Sequence, residues 1–381
     1  MEYVLLSDVG SFSDERISIE QVTVDNYVST ENMVPNKGGV IQASSLPDAK
    51  KVSKYNPRDI LLSNIRPYFK KIWFANCTGG CSNDVLVVHP KYGIDAKFLY
   101  YVLSDSNFFN YDTLTAKGTK MPRGTKHAIL KYWVPNLPLP TQQKIASILS
   151  AYDSQIENNQ KRIKLLEQMA ENLYKEWFVR FRFPGYENAE FEGGVPKGWV
   201  SLVGDNKKPK GWTYGELNQL GTFIRGKNIT AAEMIEGQVP VISAGLEPAG
   251  YHNQANVCGP CLTISSSGAN AGYLKYNLSD IWAADCSYYN NPDNIWFVYS
   301  SLKYLQPVIS NLQCGAAQPH VYPKDVNRLC VILPPKSLIT EYNRQSSLFF
   351  KNIHNLKNQI FLLTHQRDLL LPRLMSGKLS I

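Results

Sequence analysis

The 381-residue sequence predicts two mixed α/β (α+β) domains separated by a long antiparallel two-helix coiled coil, the whole forming a pseudo-twofold internal repeat. Three observations lead there. A heptad stripe of apolar residues runs through the middle of the chain. A second stripe follows at an offset of 197 residues with the same stepping. The stretch before each stripe alternates short β-rich runs with turns. At 43.0 kDa and 44% hydrophobic residues the chain can bury substantial cores, and its length favours two or three domains over one.

In chain order, residues 1–140 form the first globular stretch, in which "DILLSNIRPYF" and "VLVVHP" read as strands and "KFLYYVLSD" as a short helix. The segment 141–182 reads as the first long helix. It follows "LPLPT", with Thr141 placed as N-cap, and stops before "FPGYENAEFEGGVPKG", whose proline and glycines cannot continue it. Residues 183–336 supply a linker and the second globular stretch, where "CLTISSSGANAGYL" and "IWFVYS" read as strands. "PKGW" occurs at 196–199 and again at 209–212, a duplicated linker without chemistry of its own. The second long helix covers 337–381, after "LPPKS".

The first stripe comprises Ile145, Leu149, Tyr152, Ile156, Asn159, Ile163, Leu166, Ala170, Leu173 and Trp177, stepping alternately by four and three. Adding the offset gives Tyr342, Ser346, Phe349, Ile353, Leu356, Ile360, Leu363, Arg367, Leu370 and Leu374. An amphipathic helix against its own domain explains either stripe alone, but the matched pair suits a two-stranded coiled coil. Because the second globular stretch lies between the helices, the second most simply runs back along the first. Roughly 35 to 40 residues at 1.5 Å each make a strut of about 55 Å. Asn159 reads as a register-fixing polar residue in that seam, or else as a side chain rotated to solvent. Ser346 and Arg367 mark places where the second stripe frays or meets another protein.

Composition and motifs narrow the function. The net charge of +8 permits a polyanionic partner without requiring one. "MEYVLLSDVG" carries acids where a signal peptide needs a basic region, and no apolar run reaches membrane length, so a cytoplasmic protein without membrane association is expected. The seven cysteines are spread along the chain and read as reduced thiols. "CTGGC" and "CGPC" lack a clear second pair of zinc ligands, and no metal site is assigned. "GTFIRGKN" at 221–228 nearly matches a phosphate-binding loop, but Asn228 stands where a hydroxyl should hold magnesium. "NNPDN" at 290–294 resembles the Asn-Pro-Pro-aromatic loop of amino-methyltransferases yet lacks its second proline and aromatic. With no cofactor turn and no catalytic constellation, catalysis and cofactor binding within this chain are not expected.

Binding is better supported. The window 107–131, "NFFNYDTLTAKGTKMPRGTKHAILK", holds Lys117, Lys120, Arg123, Lys126 and Lys131 against one acid, Asp112. With Thr119 beside them, such residues can approach phosphates and present cations to guanine edges. The corresponding window in the second half has Gln318 and His320. A second loop pair, "SNIRPYFKK" at 63–71 and "SSSGANAGY" at 265–273, offers Arg66, Lys70 and Lys71 in one half and Ser265, Ser266, Ser267 and Asn270 in the other. Similar frames with different tips suit similar tasks on different sequences.

On these residues the chain resembles the specificity subunits of type I restriction-modification enzymes. The carrying segments are "LPLPTQQKIASILSAYDSQIENNQKRIKLLEQMAENLYKEWF" and "LPPKSLITEYNRQSSLFFKNIHNLKNQIFLLTHQRDLLLPRLMSGKL", which match the family's central and distal regions, and the likeness spans essentially the whole chain. The resemblance implies a non-catalytic reader of double-stranded DNA. Each globular part would be a target recognition domain for one half of a bipartite site. The coiled coil, with Ile156, Asn159, Ile163 and Leu166 facing Ile353, Leu356, Ile360 and Leu363, would set the spacer. Two methyltransferase subunits carrying S-adenosylmethionine would dock around it, and a restriction subunit using ATP and magnesium would join for cleavage. The rivals are a stand-alone methyltransferase or nuclease, which needs a complete motif, and a protein-binding coiled-coil scaffold, which leaves two loop-rich domains unexplained.

Overall fold

The computed structural model describes residues 2–313, 319–376 and 379. The chain divides into two compact units, Met1–Asn158 with Gln359–Ile381, and Asn159–Asn358. Two helices dominate. The first spans Leu139–Tyr174 and continues as a π-helical turn, Lys175–Val179, and the second spans Lys336–Met375. Thr141 lies inside the first helix and does not cap it. The carbonyl of Pro138 takes the first amides, from Thr141 at 2.9 Å and Gln142 at 3.0 Å, so the helix starts one turn earlier than its hydroxyl suggests.

In the first unit, the four-stranded antiparallel sheet runs in the order Gly10–Phe12, Val85–Pro90, Ile60–Ser63, Ile72–Phe74. The inner strand "ILLS" is buried at every position, which is why it shows a continuous apolar run and no alternation. The helix Ala96–Ser104 packs on this sheet, its N-terminus capped by Asp95, whose carboxylate accepts from the Phe98 amide at 2.8 Å. A short ladder, Tyr3–Leu5 with Trp133–Pro135, joins the two ends of the globular stretch.

The second unit repeats this plan. Its sheet runs Ile224–Arg225, Cys286–Tyr289, Cys261–Ser265, Leu274–Asn277, the same order by sequence rank, and its closing ladder pairs Thr213–Glu216 with Cys330–Leu333. "IWFVYS" is helical, not extended: Ile295–Tyr304 forms the counterpart of the helix Ala96–Ser104. Ile295, Trp296, Phe297, Val298 and Leu302 are all buried, and a helix covered on every side carries no polar face to give its period away. Each of these short helices is held by an amide from the long helix of its unit. Gln142 Oε1 accepts from the Asp95 amide at 2.9 Å, and Asn343 Oδ1 from the Trp296 amide at 2.8 Å.

The heptad seams face inward throughout. Ile145 and Leu149 join Leu370, Leu371 and Leu374 in the first unit's core, while Ile163, Leu166 and Ala170 join Phe349, Phe350 and Ile353 in the second's. Ile156, Ile360 and Leu363 are half-buried and Leu356 is buried. In the second unit Tyr174 and Trp177, late in the first helix, meet Tyr342, early in the second. In the first unit Asp153 meets Arg367. Late residues of one helix thus contact early residues of the other, as in an antiparallel pair.

The polar seam residues are ordered. Asn159 is 0% exposed, which removes the solvent-rotated alternative. Ser346 is equally buried and donates to the Tyr342 carbonyl at 2.7 Å. Arg367 donates to Asp153 at 2.7 Å, and the same carboxylate accepts from Tyr101 Oη at 2.5 Å, so this end of the stripe is a satisfied network and does not fray.

Other sequence features take structural roles. The two "PKGW" tryptophans are buried anchors and not linker filler: Trp199 Nε1 donates to the Cys330 carbonyl at 3.3 Å, and Trp212 packs among Phe178, Phe181 and Phe183. Asn294 of "NNPDN" accepts from Tyr289 Oη at 2.6 Å and donates to the Leu220 carbonyl at 2.8 Å, tying the helix start to the sheet. "GTFIRGKN" runs through the edge strand Ile224–Arg225 and opens no helix. Among the described residues the cysteines are free thiols, no group of three or more His, Cys, Asp or Glu could hold a metal, and no helix is long and apolar enough to cross a membrane.

Candidate nucleic-acid interface

In the first unit the inner strand Ile60–Ser63 delivers the chain into the loop 64–71. A 3₁₀ turn at Pro67–Phe69 is flanked by Arg66 at φ 51° and Lys70 at φ 53°. Non-glycine residues rarely hold this left-handed conformation, and here hydrogen bonds enforce it. The Arg66 amide donates to the Pro122 carbonyl at 2.8 Å, and the Gly124 amide to the Asn64 carbonyl at 3.1 Å. The second loop is closed on itself by reciprocal bonds of 2.9 Å between Lys117 and Arg123, with Gly118 at φ 96° making the turn. Two segments far apart in sequence are thereby zipped into one surface.

That surface brings Arg66, Lys117, Thr119, Lys120 and Arg123 together, all exposed. Arg123 is steadied by Asp84 at 3.2 Å, and Lys70 donates to Ser106 Oγ at 3.3 Å. Lys71 behaves differently. Its ammonium donates to the Thr30 carbonyl at 2.6 Å, and burial holds its pKa below the usual lysine range; it braces the loop from behind. Tyr68, Phe69 and Met121 are exposed beside the cations. Selection by charge alone passed over these three, although aromatic residues among cations are the usual signature of base or sugar contact.

The second unit closes the same zipper. The Gly268 amide donates to the Pro319 carbonyl at 3.1 Å and the Val321 amide to the Ser266 carbonyl at 3.0 Å. These bonds match those of Arg66 and Gly124, with partners displaced by 202 and 197 residues. The side chains differ. Ser265, Ser266 and Ser267 are buried; Ser265 Oγ donates to the Ala244 carbonyl at 3.0 Å and Ser267 Oγ to Asp285. Their hydroxyls face into the unit because they continue a fully buried strand, so they shape the loop from inside and present no outward donors. Asn270 is half-buried and donates to the Ala244 carbonyl at 3.4 Å. His320 is half-buried and stacks on the exposed Tyr322 at 6.1 Å, with Lys324 Nζ 5.6 Å from that ring. Tyr273 is also exposed. Gln318 lies outside the described residues. Among the described residues the outward face here carries aromatic rings and an imidazole with the cation Lys324 nearby, where the first unit's carries a cluster of cations beside its aromatic rings.

The comparisons agree with this repeated arrangement. The family model described as "Type I restriction modification DNA specificity domain" matches twice, at residues 4–168 and 209–367, once for each globular stretch with its following helix. The chain is 26% identical to the type I restriction enzyme HindI specificity subunit of Haemophilus influenzae over 98% of each chain. It is 27% identical to the MjaIX specificity subunit of Methanocaldococcus jannaschii over 77% of this chain and 71% of that one. The crystal structure of a type I restriction-modification S subunit from M. genitalium has the same fold, with a TM-score of 0.62 at 18% identity over 98% of this chain and 96% of that one. With two matched repeats covering most of its length, the chain belongs to the type I restriction-modification DNA specificity family.

Proposed function

We propose that this protein is the DNA-reading specificity subunit of a type I restriction-modification enzyme, working in the cytoplasm and non-catalytic in itself. Each unit reads one half of a bipartite target in double-stranded DNA, and the paired helices set the unspecified gap. The observation that carries this reading is the loop zipper, built with the same backbone hydrogen bonds in both units and tipped with different side chains. A constant frame with variable tips is what two independent half-site readers need, because backbone contacts position while side chains specify. In the first unit Arg66, Lys117, Lys120 and Arg123 supply phosphate and base-edge contacts, with Thr119 and Lys70 at the margin. In the second, Asn270, His320, Tyr273 and Tyr322 do so.

The partners follow from the helices. Leu165 and Met169 on the first helix, and Leu348, Phe361, Leu362 and Leu369 on the second, are large apolar residues left more than half exposed. In each unit they supply apolar surface on which one methyltransferase subunit docks, two in all, bringing S-adenosylmethionine; a restriction subunit brings ATP and magnesium. The test exchanges residues 1–136 for the corresponding segment of a relative with a different target, co-expresses the chimera with the methyltransferase, and sequences the methylome. One half of the modified site should change and the other persist. A change in both halves, or in neither, overturns the reading.

A further inference from the structure

Behind the first unit's loop pair lies a niche holding a buried carboxyl, which the second unit lacks. Asp112, on the helix Ser106–Thr115, is 0% exposed, and neither of its carboxylate oxygens has a hydrogen-bond partner; Oδ1 of Asn64, at the base of the first loop, is also buried and unpartnered. A Cβ at Gly124 would collide with Asp112 Oδ1 and lie 3.2 Å from Asn64 Oδ1, so the three residues share one small space that the glycine leaves open. At the repeat positions the second unit has Ile309 and Val321, both buried and both packed against Gly272, and in place of Asn64 it has Ser266, whose Oγ is likewise buried and unpartnered. Hydrocarbon fills this position in one unit; an unpaired carboxyl occupies it in the other. The second unit demonstrates that the scaffold does not require an acid there.

Buried polar groups without partners are rare and destabilising, and a buried carboxylate more so. The charged and titratable groups on the segments packed around Asp112 are Arg66, Tyr68, Lys70 and Lys71 on the first loop, Tyr111 on its own helix, Lys117, Lys120 and Arg123 on the second loop, and Lys126 and His127 on the turn after it. None donates to Asp112, and all but the half-buried Lys70, Lys71 and Tyr111 are exposed. Burial alone pushes the Asp112 carboxyl up to about 7.

We propose that Asp112 positions the loop pair on DNA and makes the first unit's grip depend on a single proton. The neutral carboxyl rests under closed loops whose cations face outward. The carboxylate needs a donor, and the nearest belong to those same loops, so ionisation draws a cation or an amide inward, away from phosphate. Reciprocally, DNA favours the protonated form, and binding takes up a proton. Affinity for the first half-site then weakens as pH rises through neutrality, by at most about tenfold per pH unit for one proton. The proposal rests on the DNA-reading function above.

The test measures binding of the full-length protein, in complex with its methyltransferase, to a fluorescent duplex carrying a site found modified in the methylome. Titrations at pH 6.0 to 8.5 use the intact duplex and versions with one or the other half scrambled. The wild type should weaken with pH wherever the first half-site is present, whereas Asp112→Asn should lose that slope. The double variant Asp112→Ile with Gly124→Val, which builds the second unit's pair into the first, should lose it too. Parallel profiles for wild type and either variant, or a slope that follows the second half-site, overturn the proposal. A wild type that binds no duplex specifically at any pH overturns the DNA-reading function itself, a distinguishable result.

Discussion

Arg123 stands at the junction of the two zipped loops, its amide and carbonyl both bonded to Lys117 and its guanidinium held by Asp84 at 3.2 Å. A side chain so pre-oriented suits a single base edge, and Arg123→Ala is expected to weaken binding by roughly 1–3 kcal/mol with relaxed preference at one position of the first half-site. A selection from randomised duplexes checks this; uniform weakening across sequences would reassign the residue to phosphate, and no weakening would remove it from the interface. Lys71, three residues from Tyr68, illustrates what residue type alone leaves hidden. Lysine next to lysine reads as solvated charge, yet its ammonium is bonded to the Thr30 carbonyl at 2.6 Å. The three consecutive serines mislead in the same way. Hydroxyls suit a DNA surface, but they are small enough to be buried when a neighbouring carbonyl or carboxylate accepts from them, and which of these holds is decided by the strand they extend. The clustering of the first unit's cations was therefore legible in the sequence, whereas the direction of individual side chains was not.

At the scale of elements, the long helices were the most legible part because a two-stranded seam imposes a period that survives any change of surface residues. Every position of both stripes is buried or half-buried. The helix Ile295–Tyr304 was illegible for the opposite reason: burial on all sides erases the period, and β-branched and aromatic residues then imitate a strand. The seam also yields a measurable expectation. Inserting seven residues into each helix at matched positions, after Gln160 and after Lys357, keeps the heptad register and adds about 10.5 Å, roughly three base pairs of B-DNA. Methylome sequencing of an active variant should show the same specified bases around a gap longer by a few base pairs. An active variant with the original gap would mean that the helices do not measure the spacer.

For the whole molecule, the sequence offset exposed the repeat but not the sheet order, since pairing between short strands depends on which edges the helices cover. What the offset could not show at all is where residues near the two termini lie. Tyr3 and Ser376 line the same cavity of about 170 Å³ in the first unit, and Leu374 and Met375 share a core with Leu6. The segments around Tyr3 and Ser376 are thus neighbours in the folded first unit. Joining Ser376 to Tyr3 through a short glycine-serine linker and opening the exposed turn between Glu187 and Asn188 would give a circularly permuted chain. It begins with the second globular stretch and ends with the first long helix, yet retains the alternating order of globular stretch and helix. Such a permutant is expected to direct methylation to the unchanged bipartite site. A modified site lacking either half would show that translation order, and not only the folded units, distinguishes the two readers.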